Sequence, residues 1–400
     1  MSKSAASYYF AGKLLFGCLL FTLLKVQSST CIPAIDPLAK PEPKCPAGYV
    51  KFARPTFSAF VMVSSMSLSL IAYFIFRHNK PGTPPISRKM YVYIILPALL
   101  DALGITILMI GAQLVPMSLL MTLKGVRIVF STFLVILIFR RKQTGYNWLG
   151  VGVASLGVSL ASLSAVLNED AAGSSSSLVG IGLVVLSEFV KSLMVISEEY
   201  LMKKVHCDPF FMLGLQGVYA SALMVFVLLM SWLVVPGQDM ANSWENLENT
   251  FALASESATI ITILSVIPIF IAGHFMCSVE VTHLLSAVHN AIAAVLMTAI
   301  VWLCELFMHY VIDDHYGYPW GRYSALQLVG FALVVVAMLV YDGSIVRLPF
   351  WFNYYAASCE SSEEEIVEIK KDEQQACVVE MATTTSNKSD VTSNIPQSTR

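Results

Sequence analysis

The sequence YVYIILPALLDALGITILMIGA, which runs from Tyr91 to Ala112, decides the fold of this chain. It holds a single charged side chain, Asp101, among apolar and small residues. An α-helix rises about 1.5 Å per residue, so these 22 residues extend over about 33 Å. The hydrocarbon core of a bilayer is about 30 Å thick. The stretch therefore predicts a helix that crosses a membrane.

Stretches of the same kind recur on both sides of this one, nearly from end to end of the chain. They predict an all-α polytopic membrane protein with ten transmembrane helices. The first five spans are Tyr9–Leu24, Phe57–Phe76, Tyr91–Ala112, Pro116–Phe139 and Trp148–Leu167. The second five are Leu178–Glu198, Phe210–Val235, Ala258–Glu280, Leu284–His309 and Ala325–Tyr341. The first span is short and follows Lys3, so a cleaved signal peptide is the alternative for that segment.

The composition of the whole chain favours lipid as its surroundings. Hydrophobic residues make up 56% and charged residues 13% of the 400 positions, whereas soluble domains carry about 25% charged residues. The net charge of −2 provides no basic field of the kind that binds nucleic acid. We therefore expect the lipid bilayer, and no nucleic acid, among the partners.

Lysine and arginine collect in every second loop, which indicates the orientation of the helices, because basic loops face the cytosol. These residues are Arg77, Lys80, Arg88, Lys89, Arg140, Arg141, Lys142, Lys203, Lys204 and Arg347. The loops 168–177 and 236–257 are acidic, with neither lysine nor arginine in their sequence. The basic first loop, residues 30–54, is an exception. The balance predicts that both termini are cytosolic.

A repeated sequence pattern divides the chain into two halves. Trp148-Leu-Gly-Val-Gly152 opens the fifth span, and Leu326-Gln-Leu-Val-Gly330 opens the tenth. Because each half holds five spans, the second copy enters the membrane inverted, as in many transporters. We predict two inverted five-helix repeats, residues 1–170 and 171–345, and a disordered acidic cytosolic tail, residues 346–400. The alternative interpretation of the tail is a segment for sorting or phosphorylation.

Three charged side chains lie where the third and fourth predicted helices cross the membrane, namely Asp101, Lys124 and Arg127. Each costs several kcal/mol to insert, so its presence indicates a role. Lys124, Arg127 and Ser131 share one helical face. Two cations one turn apart suit a phosphate or carboxylate, which predicts substrate contact. The alternative is structural, with Asp101 neutralising one of the two cations.

The sixth predicted helix carries four charged residues within an arc of about 100°. They are Glu188, Lys191, Glu198 and Glu199. Glu188 and Lys191 are spaced i, i+3 and are expected to enter the membrane as a near-neutral pair. We place both in the substrate site, with Glu188 also a candidate for proton coupling. For Glu198 and Glu199, an ion network with nearby lysines is one interpretation, and a gate or a proton-carrying carboxylate is the other.

The ninth predicted helix adds His289 and Asn290 as candidates for the substrate site, with a packing role as the alternative for the histidine. The histidine spacing matches neither HExxH nor a repeated histidine box, so we predict no metal. The sequence also contains no GxSxG motif and no P-loop. We therefore predict no catalytic residues and no cofactor, and a protein that is not an enzyme.

Cys31 and Cys45 bracket a Pro-rich hydrophilic loop. A disulfide between them fits a loop that faces an oxidising lumen. The sequence does not give the distance between the two residues, so a disulfide and two free thiols both stay open.

Several short motifs, taken in their order, resemble solute carrier family 35, subgroup F, within the drug/metabolite transporter superfamily. The motifs are FARP (52–55), LPALLD (96–101), LKGVR (123–127), NWLG (147–150), Glu198-Glu199 before Tyr200, LVGF (328–331) and YDG (341–343). The resemblance covers residues 52–343 and implies ten helices, cytosolic termini and alternating access. Among the charged candidates it extends to Asp101, Lys124 and the Glu198–Glu199 pair, but not to Arg127.

The ninth predicted helix departs from this family pattern, because relatives often carry charged residues where Asn290, Ala294 and Met297 lie. The sequence also does not show the signatures of GDP-sugar carriers. The resemblance therefore implies a transporter without identifying the substrate.

We expect a secondary transporter that moves a small organic solute by alternating access. The charged helix faces favour an anion, such as a nucleotide-sugar-like compound or another metabolite. The expected location is the endomembrane system, either the Golgi or the endosome, lysosome or vacuole. Sorting machinery is a further expected partner of the tail, and a homodimer is left open. The alternative is a receptor or scaffold that keeps the fold without transport.

Overall fold

The computed structural model describes residues 3–34, 45–46, 48–52, 54–76, 88–112, 114–115, 120, 123–140, 145–170, 178–237, 239, 243–312 and 320–341. The predicted tail, residues 346–400, lies outside these described residues, as does most of the loop between Cys31 and Cys45.

The described residues form thirteen α-helices and one small sheet. The first helices are α1 (Lys3–Ser29), α2 (Pro55–Ser65), α3 (Leu68–Phe76), α4 (Arg88–Tyr93) and α5 (Ile95–Ala112). A 3₁₀ turn (Lys124–Val126) leads into α6 (Arg127–Phe139), followed by α7 (Gly145–Asp170), α8 (Leu178–Lys203) and α9 (Pro209–Leu233). The last helices are α10 (Leu247–Ser255), α11 (Ala258–Leu284), α12 (Ala287–Phe307), which continues as a π-helical turn (Met308–Ile312), and α13 (Ser324–Tyr341).

Nine helical segments of the described chain are long and apolar enough to cross a membrane. They are α1, α2 with α3, α4 with α5, α7, α8, α9, α11, α12 with its π turn, and α13. These segments confirm an all-α polytopic membrane protein. The predicted fourth span, Pro116–Phe139, is described only in part, and its described portion is helical from Lys124 to Phe139.

The long helices pack in a few dominant pairs. The most extensive contacts are α7 with α13, α5 with α8, and α1 with α11. Further pairs are α2 with α9, α6 with α8, α1 with α12, and α6 with α12. The helix α8 therefore packs against both α5 and α6, which brings three charged helices together.

Glycines set the closest of these contacts. A Cβ on Gly157 of α7 would lie 2.6 Å from the carbonyl oxygen of Gly330 in α13, and a Cβ on Gly330 would lie equally close to Gly157. The two backbones therefore touch at this crossing, as small residues permit in membrane helices.

A two-stranded hairpin covers one end of the bundle, which we name the hairpin end. Strand β1 (Cys31–Pro33) pairs antiparallel with β2 (Tyr49–Lys51), and Ile32 is opposite Val50. A disulfide joins Cys31 to Cys45, with their Cα atoms 5.8 Å apart. Ile32 packs with Phe57 and Leu253, so the hairpin rests on the beginning of α2 and on α10.

Candidate functional site

An ion pair between α6 and α8 lies inside the bundle. Both Nε and Nη2 of Arg127 contact Oε2 of Glu188, at 2.7 Å and 2.6 Å. The Glu188 side chain is 0% exposed, whereas that of Arg127 keeps 22% exposure. The arginine side chain therefore keeps some exposure, whereas its carboxylate partner is fully buried.

A second ion pair joins α5 to α8. The Lys191 ammonium donates to Oδ1 of Asp101 at 3.1 Å, and both residues are buried. Gly104 explains how the lysine reaches this position, because a Cβ there would lie 3.0 Å from Cγ of Lys191. The missing side chain leaves room for the lysine stem beside α5.

Both ion pairs lie near the middle of α8. Lys191 is 12 residues from the end of α8 at Lys203, which corresponds to about 18 Å along the axis. The Oδ2 atom of Asp101 and the Oε1 atom of Glu188 are buried with no hydrogen-bond partner among the described residues. Each carboxylate thus has one oxygen in an ion pair and one buried oxygen without a partner among the described residues.

Lys124 joins this group from the 3₁₀ turn before α6. Its ammonium lies 5.6 Å from the centre of the Phe21 ring in α1, a cation–π contact. Electrostatic interactions link Lys124 to Glu188, Arg127 and Lys191. The two predicted cations of this segment therefore lie in one charged cluster with the central residues of α8.

Glu198 continues the same face of α8 toward the end at Lys203. It is buried beside Gln216 of α9 and interacts electrostatically with Asp101 and Lys191. Glu188, Lys191 and Glu198 thus form one polar stripe from the middle of α8 toward its end.

Lys13 of α1 is a member of the cluster that the sequence reasoning missed. It is buried, and its ammonium donates to the backbone oxygen of Asn290 at 2.8 Å and also to Oδ1 of that residue. Electrostatic interactions extend from Lys13 to Arg127 and Glu198. The signal was present in the sequence, because Lys13 is the only charged residue in the predicted span Tyr9–Leu24.

Asn290 and His289 occupy different surroundings at the start of α12. Asn290 accepts from Lys13 and, at Oδ1, from the hydroxyl of Ser278 at 2.9 Å. The His289 ring shares a 2.7 Å hydrogen bond with the Ser286 hydroxyl and packs edge-on against Tyr341, with ring centres 5.0 Å apart. The geometry thus brings Asn290 into the cluster and ties His289 to the helix start.

Glu199 fastens the end of α8 to the beginning of α12. One carboxylate oxygen accepts from Lys203 at 2.9 Å, and the other accepts from the backbone N–H of Ala287, also at 2.9 Å. Lys203 donates in addition to the carbonyl oxygen of Leu285 at 2.6 Å. We name these contacts the α8 latch.

The opposite end of the bundle is fastened by the segment before α10. Both oxygens of Glu245 accept backbone N–H groups at the start of α2, from Thr56 and Phe57, each at 2.8 Å. Arg54 and Asp239 form an ion pair beside this contact. We name these contacts the hairpin latch.

The observed pairing differs from the predicted one in a specific way. Glu188 and Lys191 were expected to neutralise each other within one helix, and Asp101 was considered as a partner for the cations at 124 and 127. The structure instead pairs Glu188 with Arg127 and Lys191 with Asp101. The two pairs hold three helices together, where a pair within α8 would hold none.

The described part of the chain contains no group of three histidine, cysteine, aspartate or glutamate residues placed to hold a metal ion.

A bundle of membrane-length helices with ion pairs buried between them defines a multi-pass membrane protein. The chain belongs to solute carrier family 35: the family model SLC35F, "Solute carrier family 35", matches residues 46–343. Membership makes the protein a solute carrier. The matched region begins after α1, so Lys13 lies outside it.

Individual relatives are distant. An uncharacterized protein of Schizosaccharomyces pombe is 23% identical over 283 residues, which cover 68% of this chain and 82% of the relative. Human solute carrier family 35 member F6 is 21% identical over 252 residues, 62% of this chain and 65% of its own length. A solved crystal structure matches 87% of this chain and 100% of its own, with a TM-score of 0.54 and 12% identity, which shows a shared fold.

Proposed function

We propose that the protein is a secondary transporter that moves a small organic anion across a membrane by alternating access. The observation that carries this proposal is the pair of buried salt bridges, Arg127–Glu188 and Asp101–Lys191. Each joins the proposed first half, residues 1–170, to the proposed second half, residues 171–345. Transporters built from inverted repeats bind their solutes near the midplane between the halves.

The pattern of helix contacts supports inverted halves. A two-fold axis that exchanges the halves relates α1 to α8, α2 to α9, α5 to α11, α6 to α12, and α7 to α13. The contact of α5 with α8 then becomes the contact of α11 with α1, and both are among the most extensive. The contact of α6 with α8 becomes that of α12 with α1, which also occurs. The pairs α2 with α9, α6 with α12, and α7 with α13 are their own mates and are all present.

The charges of the cluster favour an anion. Lys124, Arg127 and Lys191 contribute cations, and Arg127 keeps 22% of its side chain exposed. An arginine that faced lipid would be costly, so this exposure supports an internal, water-filled space. A guanidinium carries five N–H donors, more than a single carboxylate oxygen uses, and it binds carboxylate or phosphate in bidentate form.

The two latches support alternation between the sides. Glu199 holds α8 to α12 at one end, and Glu245 holds the start of α2 at the other. When both latches are closed, contacts between helices hold the bundle together on both sides of the central cluster. In our proposal each latch opens in turn, which exposes the cluster to one side at a time.

We assign the hairpin end to the lumen of an endomembrane compartment. We assign the opposite end of the bundle, where α8 ends at Lys203, to the cytosol. The disulfide between Cys31 and Cys45 supports this assignment, because disulfides persist in oxidising compartments. The basic residues Lys203 and Lys204 at the end of α8 support it as well, because such residues collect on the cytosolic side.

Reconstitution in liposomes tests the proposal. Purified protein is screened with labelled sugar phosphates, nucleotides, dicarboxylates and amines, next to Arg127→Met and the control Lys204→Met, which changes an exposed cytosolic lysine. We expect uptake of at least one anion class by the wild type and the control, and loss in Arg127→Met. Folded protein that takes up none of these classes would favour a receptor or scaffold instead.

A further inference from the structure

Lys13 is buried in the middle of α1, and its position calls for an explanation. Ten residues separate it from the start of the helix at Lys3, about 15 Å along the axis. Inserting a lysine at such depth costs several kcal/mol, and buried lysines therefore mark functional pathways. In the described part of the chain, the hydrogen bonds of its ammonium go to the two oxygens of Asn290, which are neutral.

The surroundings of Lys13 hold the ammonium at a fixed place. The Nδ1 atom of His274 in α11 is 3.2 Å from the backbone oxygen of Lys13 and donates to it. Gly17 brings α1 against the same histidine, because a Cβ there would lie 2.9 Å from Nδ1 of His274. Asn290 is itself oriented by Ser278, whose hydroxyl donates to Oδ1 at 2.9 Å. Side chains of α11 and α12 thus fix both the backbone of Lys13 and the acceptors of its ammonium.

The charged members of the cluster differ in the partners they have. The basic members are Lys13, Lys124, Arg127 and Lys191, and the acidic members are Asp101, Glu188 and Glu198. Asp101 and Glu188 share oxygens with Lys191 and Arg127. The hydrogen bonds of the Lys13 ammonium within the described residues go to neutral oxygens, so a bound anion would give it a charged acceptor.

We propose that Lys13 binds the acidic group of the transported solute, a carboxylate or a phosphate, and that α1 is thereby part of the solute site. In the empty site the Asn290 oxygens hold the ammonium in place. An entering anion replaces the neutral Oδ1 atom as acceptor and adds the Coulomb attraction between its negative charge and the ammonium. This inference rests on the proposed transport function and adds to it a residue from outside the region that the family model matches.

Binding to the purified full-length protein in detergent tests the role of Lys13 without a transport assay. The probes are inorganic phosphate, succinate and glucose 6-phosphate, compared with chloride at equal ionic strength. The readout is the concentration dependence of the melting temperature. We expect at least one probe to stabilise the wild type and Lys204→Met, and its dissociation constant to rise at least tenfold in Lys13→Met. Lys13→Gln, which keeps a donor for Asn290 without the charge, is expected to match Lys13→Met.

The outcomes separate the two proposals. A dissociation constant within twofold of the wild type in Lys13→Gln overturns the role of Lys13 and leaves transport untouched. A wild type that transports neutral solutes and binds none of the three anions overturns the inference in the same way. Absence of any uptake in liposomes contradicts the transport function itself.

A thiol-labelling experiment covers the case in which both substitutions prevent folding. Lys13→Cys is made in a background where every cysteine outside the Cys31–Cys45 disulfide is serine. We expect an anionic methanethiosulfonate reagent to label this cysteine in the folded protein. A cysteine that stays unlabelled in folded protein shows that no solute reaches this position and overturns the inference.

Discussion

The carboxylate of Glu199, near the end of α8, accepts a hydrogen bond of 2.9 Å from the backbone N–H of Ala287, the first residue of α12. One side chain thereby joins two helices that α9, α10 and α11 separate along the sequence. The same carboxylate holds Lys203, so the contact is both a helix N-terminal hydrogen bond and part of an ion pair.

Glu199→Ala is expected to loosen the α8 latch. A hydrogen bond to a charged group contributes about 1.5 kcal/mol or more, which is roughly tenfold in an opening equilibrium. A cysteine at Ser278, next to Asn290, should then react about tenfold faster with a reagent added from the proposed cytosolic side, where α8 ends. Glu248→Ala removes an exposed carboxylate at the hairpin end and should leave the rate unchanged. Equal rates in both variants would show that the latch does not control access.

The salt bridge between Arg127 and Glu188 is expected to serve transport more than stability. Arg127→Met leaves a buried carboxylate without its partner, which costs about 3 kcal/mol. Arg127→Met combined with Glu188→Met should recover the melting temperature, because an apolar pair of similar volume often replaces a buried ion pair without loss. Uptake should stay absent in the double variant. Recovery of uptake together with stability would make the salt bridge purely structural.

Lys124→Ala is expected to weaken anion binding while the protein still inserts. Removal of one partner of a desolvated charge contact costs about 2 kcal/mol or more of affinity. The change is measured as the apparent affinity for the transported anion in liposomes. Phe21→Leu, which removes the cation–π contact of Lys124 but keeps the charge, is the matched control and should have the smaller effect. Normal affinity in Lys124→Ala would assign the lysine a structural role.

Glu188→Gln is expected to abolish the pH dependence of transport if the carrier moves protons with its solute. The substitution fixes a neutral side chain of nearly the same shape at a carboxylate that has one oxygen on Arg127 and one without a partner among the described residues. Exchange of solute for solute should continue. Glu256→Gln, at an exposed position, is the control. A pH dependence that persists in Glu188→Gln would direct the search to Glu198, Glu199 and His289.

The assignment of sides predicts which segments each compartment reaches. A protease site after Arg347 should be cleaved from the cytosol, and a tag in the loop 236–257 should be reached from the lumen. Replacing Cys31 and Cys45 by serine should lower stability by about 3 kcal/mol, because the disulfide closes a loop of 14 residues. If both sites were reached from one side, one of the three predicted crossings between them, α11, α12 and α13, would not span the membrane.

Much of the fold was predictable because lipid imposes a simple requirement on sequence. A helix in a bilayer must satisfy its own backbone hydrogen bonds and present about 20 apolar residues. That requirement is visible along one stretch of chain, as it is in residues 91–112, and it fixes where helices run. The arc on α8 that contains Glu188, Lys191, Glu198 and Glu199 was predictable for a similar reason, since helical geometry alone places these residues on one face.

The partners within the candidate site were decided by tertiary structure. Lys191 bonds to Asp101, and Glu188 bonds to Arg127, although sequence spacing favoured a pair within α8. Which side chain meets which depends on the rotation and depth at which α5 and α6 pack against α8, and no single helix encodes that relation. Gly104 sets one such depth by admitting the stem of Lys191.

Lys13 shows most clearly the difference between what the sequence determines and what the tertiary structure decides. The sequence by itself determined that a lysine lies within an apolar span, and that its charge must meet a polar group or be costly to bury. Only the packing of α1 against α11 and α12 decided that this group is Asn290, 277 residues further along the chain. The cost of burial is local and can be read from a sequence, whereas the compensating partner comes from whichever helix the closed bundle places beside it.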